Sequence, residues 1–304
     1  MDDRTNNAEL SPKVEALPNR LNTLGMVVKT EIGLPPRANP FYSHVIVGIE
    51  EACRRNQINL LFATLPVDEY NLPVDVPKIL SSQGADGFLM VGAFVDENIM
   101  EAITSMAGKP PRPIVLVDAY SNSDSFDTVV SDNFRAAYQA VEYLIRKGHR
   151  HIGLVGSEPT SYPSLKQRRG GYSRALRENE ITNSYIANFN IRKESSHDPT
   201  IRLMREHPQI TALFGINDLV AVNTIRALQE MGLRVPQDVS VIGYDDIDLA
   251  AITKPALTTF HVDTVVMGRA AVQLLISRLE NPDSARMTLT IHPTLIERES
   301  VAER

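Results

Sequence analysis

Four polar groups stand directly after apolar, strand-like runs. They are Asp118 after Ile114–Val117, Asp132 after Thr128–Ser131, Asn217-Asp218 after Leu213–Ile216, and Asp245-Asp246 after Val241–Tyr244. Side chains of this kind serve one of two purposes there. An Asp or Asn at a helix start accepts a hydrogen bond from free backbone amides and caps the helix. The same groups, if they converge, make a set of acceptors and donors for a polar small molecule, because open α/β sheets bind ligands at the carboxyl ends of their strands. Each position taken alone reads as a cap. The four together read as one site, and spacing does not decide between the two.

Other chemistries find little support. No G-x-x-x-x-G-K-[ST] phosphate loop is present, and no G-x-G-x-x-G follows a strand-like run. His149 and His151 have H-x-H spacing, but no further Cys, His or carboxylate cluster completes a metal site. Cys53 falls on the apolar side of a helical segment with no His near it in sequence, so it reads as core rather than nucleophile. No Ser, His, Asp triad is suggested by spacing. No metal, no cofactor and no enzymatic activity are expected: the carboxylates suit recognition of hydroxyls better than turnover.

The chain has 304 residues, 43% of them hydrophobic and 22% charged, and a formal net charge of −6. That length suggests two domains. An acidic balance without a basic stripe argues against direct grip on phosphates and for a small molecule or another protein as partner. One cysteine excludes an intrachain disulfide and fits a reducing compartment. Met1-Asp2-Asp3 opens without the basic and apolar regions of a secretory signal, and no run approaches the ~18 apolar residues of a membrane span. A cytoplasmic protein without membrane contact is expected.

The elements that would carry these groups alternate along the chain. Residues 1–23 read as a polar tail or linker remnant. Strands are expected at Leu24–Val28, Asn59–Ala63, Gly87–Val91, Pro113–Val117, Thr128–Ser131, Ile152–Val155, Ile186–Ile191, Ala212–Gly215, Val239–Tyr244 and Leu257–His261. Helices are expected after Asn39-Pro40, with Asn39 as cap, near Asp96–Ala107, after Asp132, and around Leu165–Glu178, Thr200–Glu206, Asn217–Met231 and Asp263–Glu280. Gly148 and Gly232 are placed to close two of them. Strands alternating with such helices argue for parallel sheets, and there are too many strands for one sheet of usual size.

Several segments now combine. They are Asn39-Pro40-Phe41-Tyr42-Ser43 with Gly48-Ile49-Glu50, Asp86-Gly87-Phe88, Ser131-Asp132-Asn133, Gly148-His149-Arg150-His151-Ile152-Gly153 and Arg168-Arg169-Gly170-Gly171-Tyr172. Asn217-Asp218, Val235-Pro236 with Asp238 to Asp246, Pro255-Ala256-Leu257-Thr258-Thr259 and Met267-Gly268 complete the set. Each motif is weak alone. In this order, from about Asn22 to Arg298, the chain resembles the effector-binding core of LacI/GalR-type transcriptional regulators.

The resemblance implies an α/β fold of two parallel-sheet lobes, of the type I periplasmic-binding-protein-like architecture, with a cleft between them. Its N-terminal lobe would take residues 24–131 and 263–283, and its C-terminal lobe residues 132–262 and 284–304. Carried over residue by residue, the effector contacts are Phe41, Tyr42, Asp118, Asp132, Arg168, Asn217 and Asp245. Bland alternatives stand beside them: Phe41 as core filling, Asp132 as a cap that positions Arg168, Arg168 as a surface residue. Asp246 is expected to cap the segment after it, leaving Asp245 for the ligand. Three carboxylates against one arginine favour a neutral effector, a sugar or related polyol ahead of a purine. A homodimer is expected, through the first helix and the helix after Asn217. Operator DNA would be reached only through a headpiece, which the 23 residues before Leu24 do not contain. At Val262 the chain departs from relatives that place a glutamine near the effector. A periplasmic-type sugar-binding protein of a transport system is the alternative function.

Overall fold

Leu24, Met26, Val27 and Val28 are all buried. A run of this kind, apolar on both faces, belongs in the middle of a parallel sheet, and β1 (Thr23–Glu31) lies there. The structure, a computed structural model, describes residues 21–31, 40–68, 70–80, 84–92, 94–95, 99, 112–159, 161–191 and 194–304. β1 is flanked by β2 (Asn59–Val67) and β3 (Gly87–Val91), both parallel to it. After the short β4 (Phe94–Val95), the sheet continues through β5 (Ile114–Val117). β6 (Tyr120–Ser121) pairs with β4 outside it, and β7 (Asp127–Ser131) extends it beyond β5.

The second sheet is built from β8 (Ile152–Val155), β9 (Tyr185–Ala187), β10 (Ala212–Gly215) and β11 (Ser240–Ile242). Its order is β11-β10-β8-β9, again parallel throughout. β12 (Thr259–His261) runs beside the end of β11 and pairs antiparallel with β14 (Thr294–Ile296). Between them β13 (Thr288–Ile291) returns to the first sheet and pairs with β7, giving the order β13-β7-β5-β3-β1-β2. The chain therefore passes between the two lobes three times: after β7, after β12 and between β13 and β14.

Helix α1 (Pro40–Arg55) buries Phe41, Val45, Gly48, Ile49, Ala52 and Cys53 along one side, the face its apolar spacing predicts. It crosses α7 (Thr264–Glu280) at close range. A Cβ on Gly48 would sit 2.1 Å from the Val265 carbonyl oxygen, and one on Gly268 2.3 Å from that of Val45. α2 (Asn133–Arg146) and α3 (Pro163–Glu178) pack on each other in the second lobe. α4 (His197–Glu206) packs on α5 (Asp218–Glu230), and α6 (Asp248–Ile252) follows β11. Gly148 and Gly232 take positive φ just past α2 and α5, as their positions in sequence predict. Among the described residues no helix is long and apolar enough to cross a membrane.

Several expectations are corrected. Residues 288–291, assigned to the C-terminal lobe, join the first sheet. The cause is a buried ion pair: Arg278 Nε and Nη2 donate to the two Asp127 oxygens at 2.7 and 3.0 Å, and Met287 N donates to Asp127 Oδ1 at 2.8 Å. That cluster folds the 281–287 loop so that the chain emerges beside β7. The strand expected over Ile186–Ile191 is only Tyr185–Ala187. The sequence pattern does not mark β4, β6, α6, β13 or β14. The tail through residue 20, the Asn39 cap and, Ile99 excepted, the helix near Asp96–Ala107 lie outside the described residues.

Candidate functional site

Asp118 ends β5 with its amide donating to Val129 O at 2.8 Å and with φ at +44°, in the left-handed region. From the first turn of α1, Tyr42 donates its hydroxyl to Asp118 Oδ2 at 3.1 Å. The other carboxylate oxygen, Oδ1, is buried and has no hydrogen-bond partner. Phe41 is buried and meets the Tyr42 ring edge-on, centroids 5.3 Å apart. It therefore acts as backing for Tyr42 within the core.

Arg168, on α3, is 6% exposed. Its Nε donates to Asn133 Oδ1 at 2.8 Å and its Nη1 to Ile216 O at 2.9 Å. The guanidinium lies 3.7 Å above the centre of the Tyr244 ring, a cation–π contact that is strengthened by burial. These contacts fix the plane of the group and leave Nη2 facing Asp245, 3.2 Å from Oδ1. That pair is close enough for charge attraction, yet Asp245 Oδ1 has no partner in hydrogen-bond geometry and is buried. Asp245 has φ at +115° and Asp246 at +59°.

Two buried carboxylates and one guanidinium thus share a small volume. Burial, with Asp245 adding repulsion against the pull of Arg168, pushes the Asp118 carboxyl up to about 7. Burial likewise raises Asp245 to about 6, against the attraction of Arg168. The Tyr42 hydroxyl is raised well above its ordinary value by burial and by Asp118. The cluster is charged at neutral pH only at a cost that a bound donor would lower.

Of the seven residues expected to line a site, Tyr42, Asp118, Arg168 and Asp245 come together, with Phe41 behind. Asn217 is adjacent: Arg168 bonds the carbonyl of Ile216, and Asn217 Oδ1 caps α5 by accepting from Val220 N at 2.9 Å. Asp132 caps α2, accepting from Arg135 N at 3.1 Å, and lies 3.3 Å from His292 Nδ1. It does not position Arg168. Its neighbour Asn133 does, and Asn133 Nδ2 also donates to Tyr120 Oη at 2.8 Å and Ser131 O at 3.0 Å. Asp246 does not cap α6. It accepts from Arg298 Nη2 at 2.7 Å and lies 3.0 Å from His261 Nδ1. Val262 is buried.

Other contributors were not singled out in the sequence. Tyr244 supplies the ring under Arg168, and its hydroxyl meets Ser131 Oγ at 2.7 Å, joining the end of β7 to the end of β11. Ser157, just past β8 at the same edge of the second sheet, has a buried hydroxyl with no partner. Among the described residues no group of His, Cys, Asp and Glu could hold a metal ion.

Residues 141–301 match the periplasmic binding protein-like domain family. The ribose operon repressor of Haemophilus influenzae is 32% identical over 266 residues, 86% of this chain and 78% of the repressor. The HTH-type transcriptional repressor PurR of Mannheimia succiniciproducens is 30% identical over 96% of this chain and 85% of its own length. Among solved structures, a LacI family transcriptional regulator from Enterococcus faecium with bound ribose aligns with a TM-score of 0.77 at 26% identity. The alignment covers 93% of this chain and 99% of that one.

Proposed function

Because the chain belongs to the periplasmic binding protein-like family of LacI-type transcriptional regulators, we propose that its cleft binds a neutral, hydroxyl-rich effector, a sugar or related polyol. Binding then sets the DNA affinity of the regulator. One observation carries the reading. Asp118 holds a buried carboxylate oxygen with no hydrogen-bond partner, and the buried Asp245 Oδ1 faces Arg168 Nη2 at 3.2 Å without hydrogen-bond geometry, while Arg168 Nε and Nη1 are already bonded within the protein. Buried acceptors without donors are costly, about 1–3 kcal/mol each. Vicinal hydroxyls supply the missing donors in a geometry that carboxylates accept well. An anionic ligand would add a charge to a set already richer in carboxylates than in cations.

In this reading Tyr42 and Asp118 serve the effector from the first lobe, and Arg168, Asn217 and Asp245 from the second. Bound across the cleft, the effector favours one relative orientation of the lobes, and DNA affinity follows by linkage. Asp132 contributes by capping α2 and Phe41 by supporting Tyr42. A homodimer through α1 and α5 is part of the proposal, with Val47 on α1 and Leu219 on α5 exposed and available to it. The proposed setting is the cytoplasm, where operator DNA lies.

A thermal-shift screen tests the reading, using neutral pentoses, hexoses and disaccharides against sugar phosphates and nucleobases. A neutral sugar is expected to raise the melting temperature, with no shift from its phosphate. A shift from phosphates or nucleobases alone would overturn the reading.

A further inference from the structure

We infer that Asp218 is the positioning residue for Asp245, clamping the loop on both sides of the strained Asp245-Asp246 pair. The inference rests on the reading of Asp245 as an effector ligand. Asp218 opens α5, next to the cap residue Asn217, and is fully buried. Its amide donates to Tyr244 O at 2.8 Å, on the near side of the pair. Its Oδ2 accepts from Ile247 N at 2.9 Å, on the far side. Its Oδ1 meets Thr259 Oγ1 at 2.6 Å, tying the same loop to β12. The fit leaves no slack: a Cβ on Gly243 would lie 2.2 Å from Asp218 Oδ1. Two consecutive non-glycine residues in left-handed conformations cost on the order of 1–3 kcal/mol each and persist only where surrounding bonds over-determine them. Asp218 makes three of those bonds.

The clamp acts as a neutral acid. The charged neighbours of Asp218 are Asp245 and Asp246 on the loop, and the nearby arginines face those two rather than Asp218: Arg168 Nη2 lies 3.2 Å from Asp245 Oδ1 and Arg298 Nη2 2.7 Å from Asp246 Oδ1. Burial first, then Asp245, raises the Asp218 carboxyl to about 8. In the carboxylate form Thr259 Oγ1 donates to Oδ1. Protonation keeps the Ile247 bond and turns the Thr259 bond round, the acid's own hydrogen then donating to Thr259 Oγ1. Ionisation would put a third desolvated negative charge beside Asp245 and loosen the loop.

Hydrogen exchange over residues 243–248 of the full chain, read without any sugar, separates this inference from the identity of the effector. Asp218→Ala is expected to speed exchange at Ile247 by about tenfold, the loss of one or two buried hydrogen bonds. Asp218→Asn, which matches the neutral acid in shape, keeps the wild-type rate. Above pH 8 the wild-type loop loosens beyond the intrinsic rise in exchange and Asp218→Asn does not. If Asp218→Ala fails to fold by circular dichroism, Thr259→Val takes its place with a smaller acceleration expected. Wild-type exchange in Asp218→Ala or Thr259→Val, Asn as fast as Ala, or identical pH profiles for wild type and Asp218→Asn would each overturn the inference. Failure of Asp245 as a ligand would show in sugar binding and leave these exchange rates untouched.

Discussion

Asp118 and Asp245 sit at strand ends with positive φ, and each keeps one carboxylate oxygen buried and unbonded. Strain and unmet acceptors of this kind disfavour the ligand-free fold and favour the complex. Asp118→Asn should therefore raise the melting temperature of the ligand-free protein, by about 1 kcal/mol or roughly 2–4 °C, while weakening sugar binding; calorimetric melting and titration read both. An unchanged or lower melting temperature contradicts the account of Asp118. The pH dependence has a definite sign. Both carboxyls titrate higher in the folded state than when unfolded, so their contribution to stability is present in acid and is lost as pH rises through about 6 and 7. A sugar that donates to them favours the ionised forms. Affinity should then climb with pH up to about 7 and level off, falling on the acid side by up to about tenfold per unit for each carboxylate. Titrations between pH 5 and 8 give the profile; affinity that is flat or rises toward acid would contradict it.

The strand ends and helix caps are set by local pattern, so the elements that present Asp118, Asn217 and Asp245 were legible in the sequence. Facing was less so. Asp132 and Asn133 are neighbours at one helix start, and a step of one residue decides which caps and which turns inward to Arg168. Asp246 follows Asp245 in a left-handed turn that carries it to Arg298 rather than to the amides of α6. β13 is mostly exposed and carries threonines at alternate positions, so its place beside β7 depends on the distant Arg278–Asp127 pair. The α1–α7 crossing is a property of the same scale. Gly48→Ala would drive a methyl into the Val265 backbone, which cannot rotate away. A loss of about 1–3 kcal/mol is expected in chemical denaturation; an unchanged midpoint would mean the helices are free to shift.

Across the whole molecule, side-chain contacts join the two lobes at several points. Tyr244 meets Ser131 between the ends of β11 and β7. Lys29 Nζ, on β1, lies 2.9 Å from the Tyr162 hydroxyl at the start of α3, and His44 on α1 is 3.9 Å from Asp248 on α6. Three chain passages link the lobes; the proposed function has the lobes reorient about them when an effector binds the acidic cluster. The most direct test is a calorimetric titration of the best-binding neutral sugar into wild type and Asp245→Ala. Wild type should bind saturably. The variant should keep its circular dichroism spectrum and lose affinity by about a hundredfold or more, as expected for removing charge-assisted bonds. Equal affinity in the two proteins would contradict the account at its centre.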